Sequence, residues 1–409
     1  MNIRTRRIIT ALSMLSAAVI AALSLLRLAV PAFSAWYAEL SVSLLDRLVD
    51  GFAASLIGLL TGVVGVVVSL LLLAGAGANR TGTGARSEQV PALVGTLAVM
   101  VAIAAVLLVP GDIIPVAGYT FAMVAMGIFV AGAVLLTIRH PLPGIAALAA
   151  FAGIIVFFTI RVDDPLLLPS LFAALGAELP QLAVTFAHLA LAAGIALSAI
   201  GDGRTRGALG RRVLAHRTAI TVVAAACAVP YAFARASWLT PWPLLSPGSD
   251  VLAADPAVLA TGLSLGFAML SGGLLTLGLV RPWGERFPRW FAGLGGRAVP
   301  VGLPVIAAMT VAVLFTAGGL GMVVQAFAGQ FGALGPAAVI EIVGIFPFWL
   351  WGPVLALATW GYAMHRAGRE AAVGRASDAA APRARAGRHA ATVSSHGLAQ
   401  LDAWESREA

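Results

Sequence analysis

The sequence is dominated by long apolar blocks that are largely free of charged residues and are bounded by Pro, Gly or charge. Each block has about 17 or more residues, the length at which an α-helix spans a hydrocarbon layer of about 30 Å. Membrane-spanning strands would show alternating apolar and polar residues, and the blocks do not. We therefore predict an all-α, polytopic transmembrane helix bundle of about ten spans. The spans are predicted at about 8–26, 52–76, 92–109, 116–138, 143–160, 180–200, 218–236, 257–280, 301–324 and 337–364.

The overall composition excludes an ordinary soluble domain. In this chain 60% of the residues are apolar and 11% are charged, whereas soluble domains have about 45–50% apolar and about 25% charged residues. A soluble core cannot hide such an apolar surplus, so a lipid bilayer is the expected environment. We expect a multi-pass protein of the cytoplasmic (cell) membrane.

The arginines predict the orientation of the bundle. All 26 positive residues are Arg, and positive residues in short loops remain on the cytoplasmic side of a membrane. An even number of spans with both termini in the cytoplasm places the basic clusters at 204–217 and 281–297 inside, whereas removing one span would place them outside. The four Arg that this arrangement leaves outside are Arg27, Arg47, Arg161 and Arg235.

We predict two regions along the chain. Residues 1–364 form the helix bundle, and residues 365–409 form a disordered cytoplasmic tail. The tail is rich in Ala, Arg, Ser and Gly and has no apolar face long enough to pack. Its arginines either remain solvated or lie against anionic lipid headgroups, an attraction of about 1 kcal/mol per residue.

Several classes of site are disfavoured by residues that the chain lacks. A P-loop requires a Lys, and the zinc-protease motif H-E-x-x-H requires paired His, and neither is present. The single Cys227 cannot form a disulfide within the chain and disfavours a Cys-based metal site. The net charge of +8 does not indicate nucleic-acid binding, because the arginines fall at helix ends. We expect no metal, no cofactor, no catalytic residues and no nucleic-acid partner.

One apparent catalytic motif is better explained by helix packing. Gly262, Ser264 and Gly266 match G-x-S-x-G, a hydrolase motif that works on a strained strand-to-helix turn. Here it falls within a predicted transmembrane helix. The two glycines also read as G-x-x-x-G, as do Gly58 and Gly62, and this pattern lets two helices approach closely. We predict that both pairs serve packing.

Four polar side chains in predicted spans form the candidate substrate site. Arg235 in the seventh span and Glu341 in the tenth are predicted at the same depth near the outer side, where an unpaired charge is costly. Tyr231 precedes Arg235 by one turn, and His188 in the sixth span can carry a proton near neutral pH. We predict that Arg235 and Glu341 approach within ion-pair or one-water distance. The alternatives are interfacial anchoring of Arg235 and a neutral His188 bonded to a neighbouring helix.

The predicted outer loop 31–50 mixes apolar and charged residues at helical spacing, among them Trp36, Leu44, Asp46 and Arg47. Helices of this kind lie along the membrane surface, with the apolar face among the lipid headgroups. We therefore predict an interfacial helix on the outer side.

The predicted cytoplasmic loop 281–297 combines four Arg with two Trp, two Phe and a Glu. Such a loop can lie in the headgroup region with its guanidinium groups on anionic lipid phosphates. Docking of a protein partner and gating of a path are the alternatives, and no particular protein partner is indicated. The candidate interface residues are Arg281, Trp283, Glu285, Arg286, Arg289 and Trp290.

Two stretches carry a resemblance to a known family: VPYAFARASWLTPWPL at 229–244 and GLVRPWGERFPRWFAGLGGRAVP at 278–300. They resemble a family of uncharacterised multi-pass membrane proteins from high-GC actinobacteria. In that family an aromatic and Arg-containing outer turn precedes a cytoplasmic W-G-E-x-F-P-R-W loop. The resemblance covers about residues 218–320 and implies the class of membrane protein without implying an activity. The loop motif is filled here by Trp283, Gly284, Glu285, Phe287, Pro288, Arg289 and Trp290.

Three functions fit these observations. A transporter or permease-like protein is favoured by the span count, the polar set at His188, Arg235 and Glu341, and the Gly and Pro within helices. A non-transporting partner subunit or sensor would use the loop 281–297. An intramembrane enzyme acting on a lipid-linked substrate is the third hypothesis, disfavoured because the loops carry mostly Arg and Pro rather than acidic residues or His.

Overall fold

The computed structural model describes residues 3–40, 42–78, 89–110, 130, 133–134, 136–138, 141–162, 167–200, 207–289, 295–329, 335–373 and 375. Within these ranges the chain forms α-helices, short 3-10 turns and loops, with one isolated bridge between Arg286 and Ala298. The predicted all-α class is confirmed for this part of the chain.

The helices of the first half follow the apolar blocks, with two short helices between the first two long ones. α2 begins with Pro31 at its first position, where the missing N–H has no helical partner to lose. α3 begins after Ser43, whose hydroxyl accepts a hydrogen bond from the backbone N–H of Asp46. The helices are α1 (Ile3–Ala29), α2 (Pro31–Ala38), α3 (Leu44–Leu48), α4 (Gly51–Ala78), α5 (Gln89–Leu107), α6 (Pro141–Val162) and α7 (Leu167–Ile200).

The helices of the second half include four consecutive pairs that are separated by only one or two residues. α9 and α10 meet at Cys227, which keeps a right-handed helical conformation, so they continue as one bent rod. The helices are α8 (Gly207–Ala215), α9 (Arg217–Ala226), α10 (Ala228–Ala236), α11 (Ser249–Ala254), α12 (Pro256–Thr276), α13 (Gly302–Phe327), α14 (Pro336–Ile345) and α15 (348–373).

Seven segments of the described chain are long and apolar enough to cross a membrane, which confirms a multi-pass membrane protein. Two further predicted spans, 92–109 and 143–160, hold shorter apolar helices, Leu93–Leu107 and Pro141–Gly153. Most of the predicted span 116–138 lies outside the described residues. The count of ten and the orientation stay predictions. The seven segments are Arg4–Ala29, Gly51–Ala74, Gly176–Ile200, Arg217–Leu239, Val258–Leu279, Gly302–Phe327 and Ala337–Val373.

The surface of the bundle carries large apolar side chains. Leu142 is 83% exposed, Phe267 is 73% exposed and Leu275 is 75% exposed. Apolar side chains spread along helices in this way are expected to face lipid tails, because exposing so much apolar surface to water is unfavourable.

The N-terminal region is formed by α1, α4, α5 and α7, which pack around a closed apolar core. Ala17 and Leu191 are completely buried at its centre. Gly62 touches the backbone of α1, since a Cβ there would lie 2.7 Å from the carbonyl oxygen of Ala17, and Gly58 faces the side chain of Ser24. The predicted packing role of this G-x-x-x-G pair is confirmed.

The C-terminal region is formed by α9, α10, α12, α13 and α15. Its glycines leave room for large side chains of a neighbouring helix. Gly262 faces the ring of Trp238, and a Cβ at Gly266 would lie 2.7 Å from Cβ of Arg235. Ser264 is exposed, and its hydroxyl donates to a carbonyl oxygen of its own helix. The predicted packing role of the glycines is therefore confirmed, and nothing in the described structure gives Ser264 a nucleophile's surroundings.

The last helix extends beyond the predicted edge of the bundle. The predicted boundary is residue 364, but α15 continues to residue 373 and its side chains contact the loop between α12 and α13. Residues 376–409, the remainder of the predicted tail, lie outside the described residues.

Candidate functional site

The last candidate span is interrupted within its apolar sequence. α14 ends at Ile345 and α15 begins at residue 348, so that Phe346 and Pro347 separate two half-helices. Phe346 leaves the helical conformation with φ −108° and ψ 68°, and Pro347 has no backbone N–H to donate. Non-helical backbone at membrane depth is tolerated only where protein covers it or water reaches it.

Helix α13 and a tryptophan cover this break. Gly319 of α13 faces the backbone at Phe348 and Trp349, and a Cβ there would lie 2.7 Å from Cα of Trp349. The indole Nε1 of Trp349 donates to the carbonyl oxygen of Val343 at 3.2 Å. That carbonyl lacks a helical donor, because the residue four positions later is Pro347. The break is thus a packed feature of the fold.

Aromatic side chains surround the break on the side of the bundle. The ring centroid of Tyr231 lies 5.2 Å from that of Phe346 and 6.5 Å from that of Phe348. Phe315 lies 4.9 Å from Phe348 and 4.8 Å from Trp351. Such offset and tilted pairs stabilise the contact of α10, α13 and α15.

Arg235 is held in place by this aromatic group. Its Nε–H donates to the hydroxyl oxygen of Tyr231 at 3.0 Å. Its guanidinium carbon lies 4.3 Å from the ring centroid of Trp238 and 4.9 Å from that of Tyr231. Cation–π contacts and one hydrogen bond therefore fix the side chain. The two terminal guanidinium nitrogens have no hydrogen-bond partner among the described residues.

Glu341 and Arg235 form no direct ion pair, which is the closer of the two contacts that the sequence predicted; the contact through one water stays a prediction. Both residues are described, and the ion pairs of the described chain do not join them. Glu341 is half-buried on α14, which packs against α10. Sequence reasoning therefore placed Tyr231, Arg235 and Glu341 on neighbouring elements, but the direct partner of Arg235 is the phenol of Tyr231.

His188 lies in the N-terminal region rather than beside Arg235. It is 3% exposed, on the face of α7 that packs into the bundle. Its Nδ1 is 2.8 Å from the carbonyl oxygen of Val184 in the same helix, rather than bonded to a neighbouring helix as the alternative interpretation had it. The charged groups that act on it electrostatically are Arg27 and Asp46.

Those two residues form an ion pair that the sequence did not reveal. Arg27 Nη2 lies 3.0 Å from Asp46 Oδ1, with side chains only 12% and 15% exposed. The guanidinium carbon of Arg27 is 4.2 Å from the ring centroid of Tyr37. Burial raises the pKa of Tyr37 to about 12, and the charge of Arg27 opposes part of that rise. The signal was present, since Arg27 violates the predicted orientation bias and needs a partner.

The outer segment 31–50 supplies this partner. Two short helices replace the single predicted interfacial helix: α2, whose side chains are exposed or half-buried, and α3, whose Leu44 and Leu45 are buried. Asp46 sits in the first turn of α3, where Ser43 also donates to its carboxylate at 2.6 Å. The segment therefore closes over the bundle instead of lying free along its surface.

At the opposite end of the molecule, side chains of α15 form hydrogen bonds and an ion pair with the loop between α12 and α13. We call this set of contacts the loop clamp. Tyr362 donates to the carbonyl oxygen of Gly284 at 2.7 Å, and Arg366 donates to the carbonyl oxygen of Val299 at 3.1 Å. The carboxylate of Glu285 lies between two side chains of the helix. These are His365, whose Nε2 is 3.3 Å away, and Arg369, which forms a direct ion pair with it.

The loop clamp divides the predicted interface residues into two groups. Glu285 is half-buried and bonded to the protein itself, so it is not available to a partner. The exposed members are Arg281, Trp283, Arg286 and Arg289. Trp290 lies outside the described residues. A basic, partly aromatic surface thus remains on the loop.

Metal chemistry finds no support in the side chains: the described residues contain no group of three or more His, Cys, Asp or Glu placed to hold an ion. Comparisons with family models, curated proteins and solved structures give no match for this chain. The resemblance to the actinobacterial membrane family stays a prediction. The geometry supports a multi-pass membrane protein in which the Arg235 side chain is held beside an interrupted helix.

Proposed function

We propose that this chain is a transporter or permease-like protein whose site lies at the break of the last span, beside Arg235. The observation that carries the proposal is the interruption at Phe346 and Pro347, directly against Tyr231. Many secondary transporters place their sites beside interrupted helices. Because Trp349 and α13 already cover the backbone at this break, the binding group would be the side chain of Arg235. The proposal includes a cell-membrane location, about ten spans and cytoplasmic termini.

The charge and geometry of Arg235 favour a ligand that carries an anionic group. Its Nε–H is occupied by Tyr231 and its ring contacts fix the plane of the guanidinium. The remaining nitrogens present the forked geometry that matches a carboxylate or a phosphate. Because the side chain is already immobilised, little conformational entropy is lost when a ligand binds.

Glu341 offers a second, opposite charge near the same break. It is half-buried on the half-helix α14 and has no ion-pair partner among the described residues. A substrate that carries both an anionic and a cationic group would use both residues. A simple anion would use Arg235 alone, so the two residues separate these substrate classes.

A partner subunit or sensor is the second candidate function, favoured by the exposed part of the clamped loop. Arg281, Arg286 and Arg289 stand on a loop whose backbone α15 holds in place. We propose that this surface contacts anionic lipid headgroups in either function, because guanidinium groups bind phosphates in pairs of hydrogen bonds.

A ligand screen on purified protein tests the proposed site. Thermal unfolding in detergent would be measured with benzoate, succinate, glycerol phosphate, glutamate and glycine betaine. A ligand present at about 100 times its Kd stabilises the folded state by about 2.7 kcal/mol. We expect at least one of these anions or zwitterions to raise the Tm of the wild type, and Arg235→Gln to remove that rise.

Two controls make the result specific. Arg47→Gln removes another predicted outer-side Arg, outside the aromatic group, and should leave the ligand effect intact. Glu341→Gln should weaken the binding of glutamate or betaine, measured as the rise in Tm, and should leave the binding of benzoate unchanged. The ligand found must then exchange across the membrane of proteoliposomes in a counterflow assay. Equal ligand effects in wild type and Arg235→Gln, or binding without counterflow, would contradict the transporter proposal.

A further inference from the structure

Thr185 departs from the behaviour of the other hydroxyl side chains in the long helices. Most of these donate back to the carbonyl oxygen four residues earlier, as Thr61 does to Ile57 at 2.7 Å and Thr359 does to Leu355 at 2.7 Å. Thr185 is completely buried, and its hydroxyl has no hydrogen-bond partner. A buried hydroxyl without a partner costs about 1–3 kcal/mol, so this one requires an explanation.

His188 has an unused nitrogen at the same place. The carbonyl oxygen of Val184 can only accept, so the contact at 2.8 Å assigns the ring proton to Nδ1. A neutral imidazole then carries a lone pair on Nε2. The hydrogen bond of the ring is the one between Nδ1 and Val184, and the side chain is almost fully buried. Nε2 is therefore the ring atom that can take up a proton.

The two groups share one face of α7 at the middle of the membrane. Residues three and four apart on a helix are neighbours, with Cβ atoms about 5–6 Å apart. Gln181, Thr185 and His188 follow this spacing, and all three are buried. His188 is the midpoint of the 25-residue candidate span Gly176–Ile200. The stripe thus leads from one end of the span to its centre.

The helices around this stripe carry few charges. α4, α5 and α13, which pack against α7, carry no titratable side chain between their ends. α1 also packs against α7, and it carries Arg4, Arg6 and Arg7 near its start and Arg27 near its end. α7 itself carries Glu178. Arg27 is paired with Asp46 of α3 and keeps a buried Nε–H that has no hydrogen-bond partner. The stripe therefore lies in an otherwise apolar part of the bundle.

We propose that His188 and Thr185 form a proton-binding site in the interior of the bundle. A hydronium ion transfers its proton to Nε2 of His188 and leaves as water. The imidazolium then donates through Nε2 to the Thr185 hydroxyl oxygen or to a water held there. This extends the proposed function, since a transporter can use such a proton as its coupling ion, but proton binding itself is tested without any substrate.

Imidazole nitrogen-15 NMR in lipid nanodiscs tests the site directly. The chain has six His, and His188→Asn identifies the signal of His188 by its loss. If that variant does not fold, a chain in which the other five His are replaced by Asn leaves His188 as the sole signal. We expect the His188 signal to change from the neutral form, with the proton on Nδ1, to the imidazolium between about pH 9 and pH 4.

A pair of threonine variants separates a proton site from a merely packed histidine. Thr185→Val keeps the shape but removes the hydroxyl, and should move the midpoint of the His188 titration by about half a pH unit or more. Thr61→Val removes a buried hydroxyl that is bonded to its own helix, and should leave the midpoint unchanged. A His188 signal that stays neutral at every pH, or a midpoint that Thr185→Val does not move, would overturn the proposal. Failure of the ligand screen at Arg235 would not.

Discussion

The two regions of the molecule hold a half-buried arginine in different ways. In the N-terminal region Arg27 is paired with Asp46 and is only 12% exposed. In the C-terminal region Arg235 rests on Tyr231 and Trp238 and has no carboxylate partner among the described residues. An ion pair neutralises a charge, whereas aromatic faces position it and leave it available. The comparison supports a structural role for Arg27 and, in the transporter that we propose, a ligand-binding role for Arg235.

The glycines repeat the same difference. Gly62 in the N-terminal region brings α4 against the backbone of α1, which leaves no room for a ligand between them. Gly262 and Gly266 in the C-terminal region make room for Trp238 and Arg235 instead. A stripe of small residues therefore closes one interface and positions the candidate site in the other.

The largest expected effect is the loss of Asp46. Asp46→Asn would leave the Arg27 charge buried without a counter-charge, and we expect the free energy of unfolding to fall by about 3–5 kcal/mol. Glu341→Gln, which breaks no ion pair in the described structure, should change it by only about 0.5 kcal/mol. Thermal and denaturant unfolding in the same detergent would measure both.

Double variants decide whether each pair is coupled. Arg27→Gln combined with Asp46→Asn should be more stable than Asp46→Asn alone, because the stranded cation is gone. Arg235→Gln combined with Glu341→Gln should show additive effects. Coupling at Arg235 and Glu341, with additivity at Arg27 and Asp46, would reverse the comparison between the two regions.

The sequence predicted the membrane class because the apolar blocks are a local property of the chain. It also placed Tyr231 and Arg235 on one helix turn, where they meet. Pairings between distant segments could not be read in the same way: Arg27 and Asp46 were both noted as outer-side charges, but nothing local shows that α3 folds back over α1. The length of the last helix could not be read from the sequence either, since α15 continues to residue 373 and its side chains contact Gly284 and Val299.

The break in the last span had a visible signal that sequence reasoning did not use. Pro347 interrupts the block 337–364, and a proline inside a helix removes one hydrogen bond and clashes with the preceding turn. Whether a proline bends a helix or interrupts it depends on what covers the freed carbonyl groups. Here that cover comes from Trp349 and from α13, which are tertiary contacts.

The second prediction concerns Gly319, which supports the break in the C-terminal region. Gly319→Ala would place a Cβ against the backbone at Phe348 and Trp349, which cannot move aside like a flexible side chain. We expect a loss of about 1–3 kcal/mol in unfolding free energy and loss of ligand binding. Gly321→Ala on the same helix has open space and should be neutral or slightly stabilising. Equal effects of the two variants would show that the break needs no such support.

The third prediction is a pH dependence that comes from Tyr37 in the N-terminal region. The pKa of Tyr37 is raised from 10.0 to about 12 by burial, so the folded state holds the phenol proton longer than the unfolded state does. The stability from this neutral phenol is complete below about pH 10 and is lost as the pH rises towards 12. Tyrosinate absorbance should show a late phase that disappears in Tyr37→Phe. A chain whose tyrosines all ionise near pH 10 would contradict the buried environment of Tyr37.

The smallest expected effect is at the loop clamp. It tests whether the stability that an ion pair contributes depends on its burial rather than on its charge alone. Arg369 and Glu285 form the same kind of ion pair as Arg27 and Asp46, but the Arg369 side chain is 61% exposed. Solvent screens such a pair, so Arg369→Gln should cost no more than about 1 kcal/mol, with a further decrease in high salt. Tyr362→Phe, which removes a buried hydroxyl from the carbonyl oxygen of Gly284, is the matched variant and should cost about as much or more. Should Arg369→Gln destabilise the protein as strongly as Asp46→Asn, the charge of the clamp would be essential to the fold, and the contrast drawn between a buried pair and an exposed one would be wrong.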